Sequence, residues 1–521
     1  MDMDKFQIIF AMIIYISAVV VIGLYYAKRA SQSSRNYLIG DRSLGPWITA
    51  MAAEASDMSG WLLMGLPGVA YWSGLGEAFW TALGLCIGIY LNWLLVAKRL
   101  RIYSHVAGDA ITIPDFLSNR FKEDKKVIMT ISALFILVFF SIYAASCFVA
   151  VGKLFSVLFE IKYIYAMIFG ALFVVSYTFI GGFLAESASD FMQGIVMFFA
   201  LTIVLVFGIS AVGGISSMVG KAKAIPGFFN LFSTAQPKVI DGVQQIENNK
   251  PVFAKPANFN WLTIVSTLSW GLGYFGMPQV LVKFMAINKS ENVKLSRRIA
   301  TVWVIISLTA AVIIGISGRL LYPDVFLTPS SSESIFILMS TNFFIPLIAG
   351  VVLAGILAAT ISSADSYLLI AASSISKNIY QGLFNRDADD KTVLHVTRLT
   401  LLGISFISML IALDENSIIF RVVSFAWAGF GATFGPIMLF SLFWAKTTRA
   451  GVIAGMVVGG TTVFIWKLLL NPLGGIFEIY ELLPAFVLSC IVIVVVSLLS
   501  KEPPEEVREE FRLVKKYKAA S

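Results

Sequence analysis

The stretch Ala52-Ala53-Glu54-Ala55-Ser56-Asp57-Met58-Ser59-Gly60-Trp61, followed by Gly65, Pro67 and Gly68, interrupts an apolar run at 46–72. A carboxylate at the centre of a bilayer costs about 2.5–3.5 kcal/mol on insertion scales, and such residues mark ion or substrate pathways. The plainer alternative is a polar cluster that packs helices together. Glycine and proline weaken a helix at the same depth, which is tolerated only where backbone is buried in protein or lines a cavity. The stretch therefore reads as a broken membrane span.

The rest of the chain supports a membrane setting. Of its 521 residues 58% are hydrophobic and 13% charged, against roughly 45–50% and 25% in a soluble globular domain. That excess excludes a soluble enzyme, a disordered chain and a disulfide scaffold, each of which needs more polar surface or more cysteine. The three cysteines, Cys86, Cys147 and Cys490, sit in apolar runs and read as small buried side chains. About thirteen runs are long enough to be spans, at 6–26, 46–72, 77–97, 127–157, 163–184, 189–213, 260–285, 299–321, 336–376, 399–413, 418–444, 450–470 and 478–500. An all-α polytopic membrane protein is expected.

The net charge of +8 is an orientation signal and not a nucleic-acid footprint. With the N-terminus outside, most basic residues fall in inner loops: Lys28 to Arg42, the 98–126 cluster, Lys283 to Arg298, Lys377 to Arg398, Lys446 and Arg449, and the tail. The C-terminus is then cytoplasmic, and the 214–258 segment lies outside. Residues 1–45 are expected to hold a retained first span and its loop, 501–521 a charged, solvated tail.

Enzyme chemistry finds no foothold. The nearest approach to a phosphate-binding loop, Gly214 to Ala222, has wrong spacing and lacks the Mg²⁺-binding hydroxyl, so no nucleotide partner is expected. His105 and His395 stand apart from any ligand cluster, and neither Gly-x-Ser-x-Gly nor HExxH occurs. Transport, conduction or sensing remain, and no selectivity-filter repeat points to a channel.

A second break, Trp270-Gly271-Leu272-Gly273-Tyr274-Phe275-Gly276-Met277-Pro278, lies in span 7. The two breaks open units of five spans, 46–213 and 260–444, separated by 214–259 and followed by two spans at 445–500. An odd offset inverts the second unit, and paired broken spans in inverted halves point to a transporter's central site. Broken helices expose N–H groups that suit an anionic substrate group and carbonyls that suit a cation. In span 9, Ala359, Ser362, Ser363 and Ser366 are spaced three and four apart, which gathers oxygens on one helical face.

Arg42-Ser43-Leu44-Gly45-Pro46, the run Ala55 to Gly68, Tyr177 to Ala185, Trp270 to Pro278 and Ala426 to Pro436 resemble the sodium/solute symporter family, in its proline-carrying branch, over about residues 36–500. The resemblance implies a leucine-transporter-like inverted-repeat core and import of L-proline by alternating access, with Na⁺ as coupling ion and no other cofactor. It implies Na⁺ ligation by the carbonyls of Ala55, Met58 and Ala359 and the hydroxyls of Ser362 and Ser363. Asp57 and Asp190 match acidic residues of the ion path. Ser59, Tyr143, Trp270, Tyr274 and Pro278 match the substrate site. Glu54 and Asp365 depart from the family pattern and are candidates for a proton or second-cation site. Another small solute, proton coupling or a membrane sensor are the alternatives, and the membrane implied is the plasma membrane.

Overall fold

The computed structural model describes residues 3–30 and 34–520. Met1 and Asp2 at the expected outer N-terminus, residues 31–33 of the first loop and Ser521 of the tail lie outside the described residues. Among these residues ten helices are long and apolar enough to cross a bilayer, from Met3–Tyr26 to Leu482–Leu499. Three of the expected spans are not among them. Spans 2 and 7 are broken, and span 5 ends in the shorter helix Tyr163–Phe179.

Each break has a local cause. Pro46–Gly60 stops being helical at Ser59 (φ 34°, ψ −172°), a left-handed backbone costly for a residue with a side chain, before a widened turn at Trp61–Gly65 and the helix Leu66–Ser73. Span 7 runs from Trp261–Leu268 into a tight turn, Ser269–Gly276, and then through extended Met277 into Pro278–Ala286. Proline suits that first helical turn because its missing N–H has no partner to lose. A Cβ on Gly271 would lie 2.2 Å from the Gly84 carbonyl oxygen, so only glycine lets span 7 lie directly on span 3.

Elsewhere the boundaries differ from expectation. Spans 5 and 6 are two helices that follow one another with no loop at 185–188; Gly182 (φ 63°) makes the kink between them. The expected span 9 divides, because Pro346 starts a new helix, Pro346–Ser373, after a separate Ile335–Phe343. The 214–258 segment is not bare loop. Asp241-Gly242 and Asn248-Asn249 all have positive φ, the geometry of two-residue hairpin turns, and strand Ser233–Pro237 pairs with Phe253–Asn258. Buried Arg319 at the end of span 8 holds this ribbon through Gln244 at 2.7 Å. The tail is not solvated either: it forms helix Glu505–Ala520, with Val507, Phe511 and Val514 buried.

Candidate ion and solute site

In an intact helix the Ser59 N–H would bond to the Ala55 carbonyl four residues back. The break separates them, and Ser363 from span 9 fills the gap. Its hydroxyl accepts from Ser59 N–H at 3.0 Å and donates to the Ala55 carbonyl at 3.3 Å. Ser362 donates to the same carbonyl at 2.7 Å and lies 3.2 Å from that of Ala359. The two hydroxyls thus meet on the Ala55 carbonyl, with the Ala359 carbonyl adjoining Ser362. The fifth expected ligand oxygen, the Met58 carbonyl, accepts from the Trp61 N–H in the tightened turn.

The Asp57 carbonyl is freed by the same break. The hydroxyls of Tyr143 and Tyr367 approach it at 3.4 and 3.5 Å, with their rings stacked 4.3 Å apart. The Asp57 carboxylate accepts from Gln279 at 3.1 Å, which joins the two broken spans immediately after Pro278. Tyr367 and Gln279 were not among the expected site residues. Their signals were positional: Tyr367 is one helical turn beyond Ser363, and Gln279 adjoins the second break.

A cavity of about 700 Å³ reaches down from one end of the bundle and stops on Trp270. Trp270 stacks with Tyr480 at 5.1 Å and lies 5.2 Å from Phe420 and 5.6 Å from Trp61, closing an aromatic floor. Tyr143, Tyr274 and Pro278 lie below that floor, buried. Tyr274 meets Trp427 edge-on at 5.0 Å. At the rim, buried Lys153 pairs with Glu333 at 2.7 Å, and Glu333 accepts the N–H groups of Ile419 and Phe420, holding the floor's Phe420 in place.

The remaining acidic residues are elsewhere. Glu54 faces span 3, where Trp93 donates to it at 3.2 Å. Asp190 belongs to a second buried centre, in which the Lys283 ammonium contacts Glu186 at 2.8 Å, Ser187 at 2.9 Å and Asp190 at 3.2 Å. The Ser366 hydroxyl bonds to Glu186 there, and Asp365 shares a cavity of about 10 Å³ with Glu186.

Two broken spans joined through Gln279 and Asp57, an oxygen cluster between spans 2 and 9, and an aromatic-floored cavity define a membrane transporter. The comparisons with known proteins agree. The model of the sodium:solute symporter family matches residues 37–459, and the chain belongs to that family. It is 40% identical over 489 residues to the high-affinity proline transporter PutP of Bacillus subtilis (strain 168), covering 94% of this chain and 97% of the relative. It is 39% identical over 508 residues to a sodium/proline symporter of Staphylococcus aureus (strain JH9), covering 96% and 94%. Its fold is similar to that of a Na⁺-coupled sialic acid symporter in a substrate-bound outward-open state, with a TM-score of 0.75 at 18% identity over 96% of this chain and 99% of the other. MhsT in complex with L-phenylalanine is a more distant likeness, with a TM-score of 0.52 at 13% identity over 87% and 97%. The leucine-transporter-type fold expected from the sequence is the fold observed.

Proposed function

We propose that the protein imports L-proline across the plasma membrane by Na⁺-coupled symport, with its N-terminus outside and C-terminus in the cytoplasm. The observation that carries this reading is the pair of hydroxyls, Ser362 and Ser363, converging on the Ala55 carbonyl. A hard monovalent cation takes oxygen ligands, and these are neutral oxygens at hydrogen-bonding distance. When Na⁺ arrives the hydroxyl protons rotate away and their lone pairs face the ion, together with the carbonyls of Ala55, Met58 and Ala359. Removal of the Ser363 bridge then couples the ion to the shape of the break at Ser59, and so to the solute site beside it.

Proline presents an apolar ring, an ammonium and a carboxylate. Trp270, on the cavity floor, and Tyr274, buried beneath it, supply aromatic surface for ring and cation as the floor opens; Tyr143 and Pro278 are buried beside Tyr274 under the same floor, and Ser59 and the broken backbone offer donors to the carboxylate. Asp57 orients span 2 against span 7 through Gln279. Glu54, which faces span 3, and Asp190 and Asp365, beside Lys283 and Glu186, serve ion coupling. The five-span units 46–213 and 260–444 form the moving core, with 1–45 and 445–500 packed around it, 214–259 outside and 501–521 inside.

Uptake of labelled proline into proteoliposomes under imposed gradients tests the reading. Accumulation is expected with an inward Na⁺ gradient and is lost when that gradient is collapsed. Undiminished accumulation driven by a proton gradient alone, or no proline uptake beside uptake of another solute, removes it.

A further inference from the structure

On the outer wall of the bundle, a groove of about 440 Å³ runs between Pro46–Gly60, the span after Gly182 and the start of helix Val293–Leu321. Trp47, Met51, Phe191, Ile195 and Val302 line it, with Arg298 at one end. The Trp303 indole N–H in its wall already donates to the Gly194 carbonyl at 3.1 Å. The lining therefore offers hydrocarbon surface and nothing that recognises a polar solute. From Phe191 to Phe199 the groove follows its helix for about 12 Å at 1.5 Å per residue, enough to hold the headgroup-proximal part of an acyl chain.

The residues at its mouth have the chemistry of a membrane boundary. Trp47, exposed and directly after the helix-starting Pro46, has the character of an interfacial anchor. Arg298 lies in the second turn of its helix, and Lys294, one turn earlier, shares its face; both are exposed. Neither forms a salt bridge among the described residues. Basic residues at helix ends also serve orientation alone, but Arg298 lines an apolar slot and Lys294 lies one turn before it. We propose that the groove is a binding site for an anionic glycerophospholipid, with one acyl chain along Phe191 to Phe199 and the phosphate on Arg298 and Lys294. The chain would touch Met51, one turn before Ala55 on the broken span, so occupancy bears on the segment that carries the central carbonyl.

The test uses the full-length protein in phosphatidylcholine nanodiscs doped with phosphatidylglycerol that carries a diazirine in its acyl chain. Photolabel is expected in peptides containing 191–199 and 298–303, displaced by unlabelled phosphatidylglycerol and not by added phosphatidylcholine. A basic residue near a bilayer surface is worth about fivefold in affinity for anionic lipid. Arg298→Gln and Lys294→Gln should each weaken labelling by about that factor with thermal unfolding unchanged, and Val302→Trp should block it by filling the slot. Labelling spread evenly round the perimeter, equal competition by phosphatidylcholine, or loss of label on dimerisation across this face would overturn the proposal.

Discussion

Ser363 replaces a missing turn of helix with one side chain, and that sets what its removal does. Ser363→Ala leaves the Ser59 N–H without its partner and the Ala55 carbonyl with Ser362 alone. An unsatisfied buried group costs about 1–3 kcal/mol, and about 1.4 kcal/mol is tenfold in an equilibrium constant. The Na⁺ concentration for half-maximal transport should rise about tenfold or more, with a measurable fall in thermal stability. Ser363→Thr, which keeps the hydroxyl, should recover most of both. Unchanged Na⁺ dependence in a Ser362→Ala, Ser363→Ala protein would detach these residues from the ion. At the basic end of the bundle, Arg42 donates to the Met285 and Ala110 carbonyls at 2.6 and 2.7 Å and pairs with Asp109 at 3.1 Å. Burial pushes the Asp109 carboxyl up, but hydrogen bonds from Arg35 and His105 and the Arg42 charge outweigh it and hold it at about 2. A carboxylate whose folded value is depressed stabilises the fold above its unfolded value, about 3.9, and loses that contribution as pH falls toward 2. Thermal unfolding between pH 5 and pH 2.5 should therefore steepen in wild type relative to Asp109→Asn. The effect is small, because Asp109 is partly exposed and screened.

The tail helix is the element whose behaviour departs most from its composition. Phe511 sits 4.9 Å from the Arg99 guanidinium and 5.6 Å from that of Arg120, and Lys122 pairs with Glu510. These partners come from the 98–126 loop region, so the tail straps it. Phe511→Ala should release the strap without unfolding the bundle. Limited trypsin digestion should then cut at Arg508 or Arg512 several times faster while the main thermal transition moves little, and unchanged cleavage would mean that the strap is held by its charges. The charged tail hides Val507, Phe511 and Val514, an apolar stripe at spacings of four and three that only a receptive surface turns into an anchor. The same distinction separates what was legible elsewhere. Breaks at Ser59 and Met277 follow from Gly/Pro chemistry inside apolar runs, and hydroxyls at 362 and 363 from helical spacing, so both could be read locally. Lys283 with Glu186, Gln279 with Asp57 and Tyr367 with Asp57 join residues far apart in sequence, and which of many buried polar groups meet is decided by how the spans pack. Lys283 left a trace all the same: a lysine embedded in Pro278–Ala286 needs a buried counter-charge.

Across the whole molecule the two ends are unequal. One carries the 700 Å³ cavity floored by Trp270, while toward the other Lys283, Glu186 and Asp190 join helix Pro278–Ala286 to the span after Gly182 by buried ion pairs of 2.8 and 3.2 Å. Breaking one partner out of such a pair costs about 3–5 kcal/mol because a charge is left unpaired. The arrangement therefore favours a protein open above the floor and latched below it. Alternating access requires both to reverse, and a ligand shifts that balance only through different affinity for the two states. A cysteine placed at Thr267, on the cavity wall, reports the upper side once Cys86, Cys147 and Cys490 are replaced. It should react rapidly with a charged thiol reagent in the absence of solute and several times more slowly with Na⁺ and proline together, since the floor and rim then close. Lys283→Met should shift the balance the other way, lowering Thr267→Cys reactivity even without ligand and weakening Na⁺-driven accumulation more than exchange. Equal reactivity in all these conditions would mean that the cavity above Trp270 does not take part in the transport cycle.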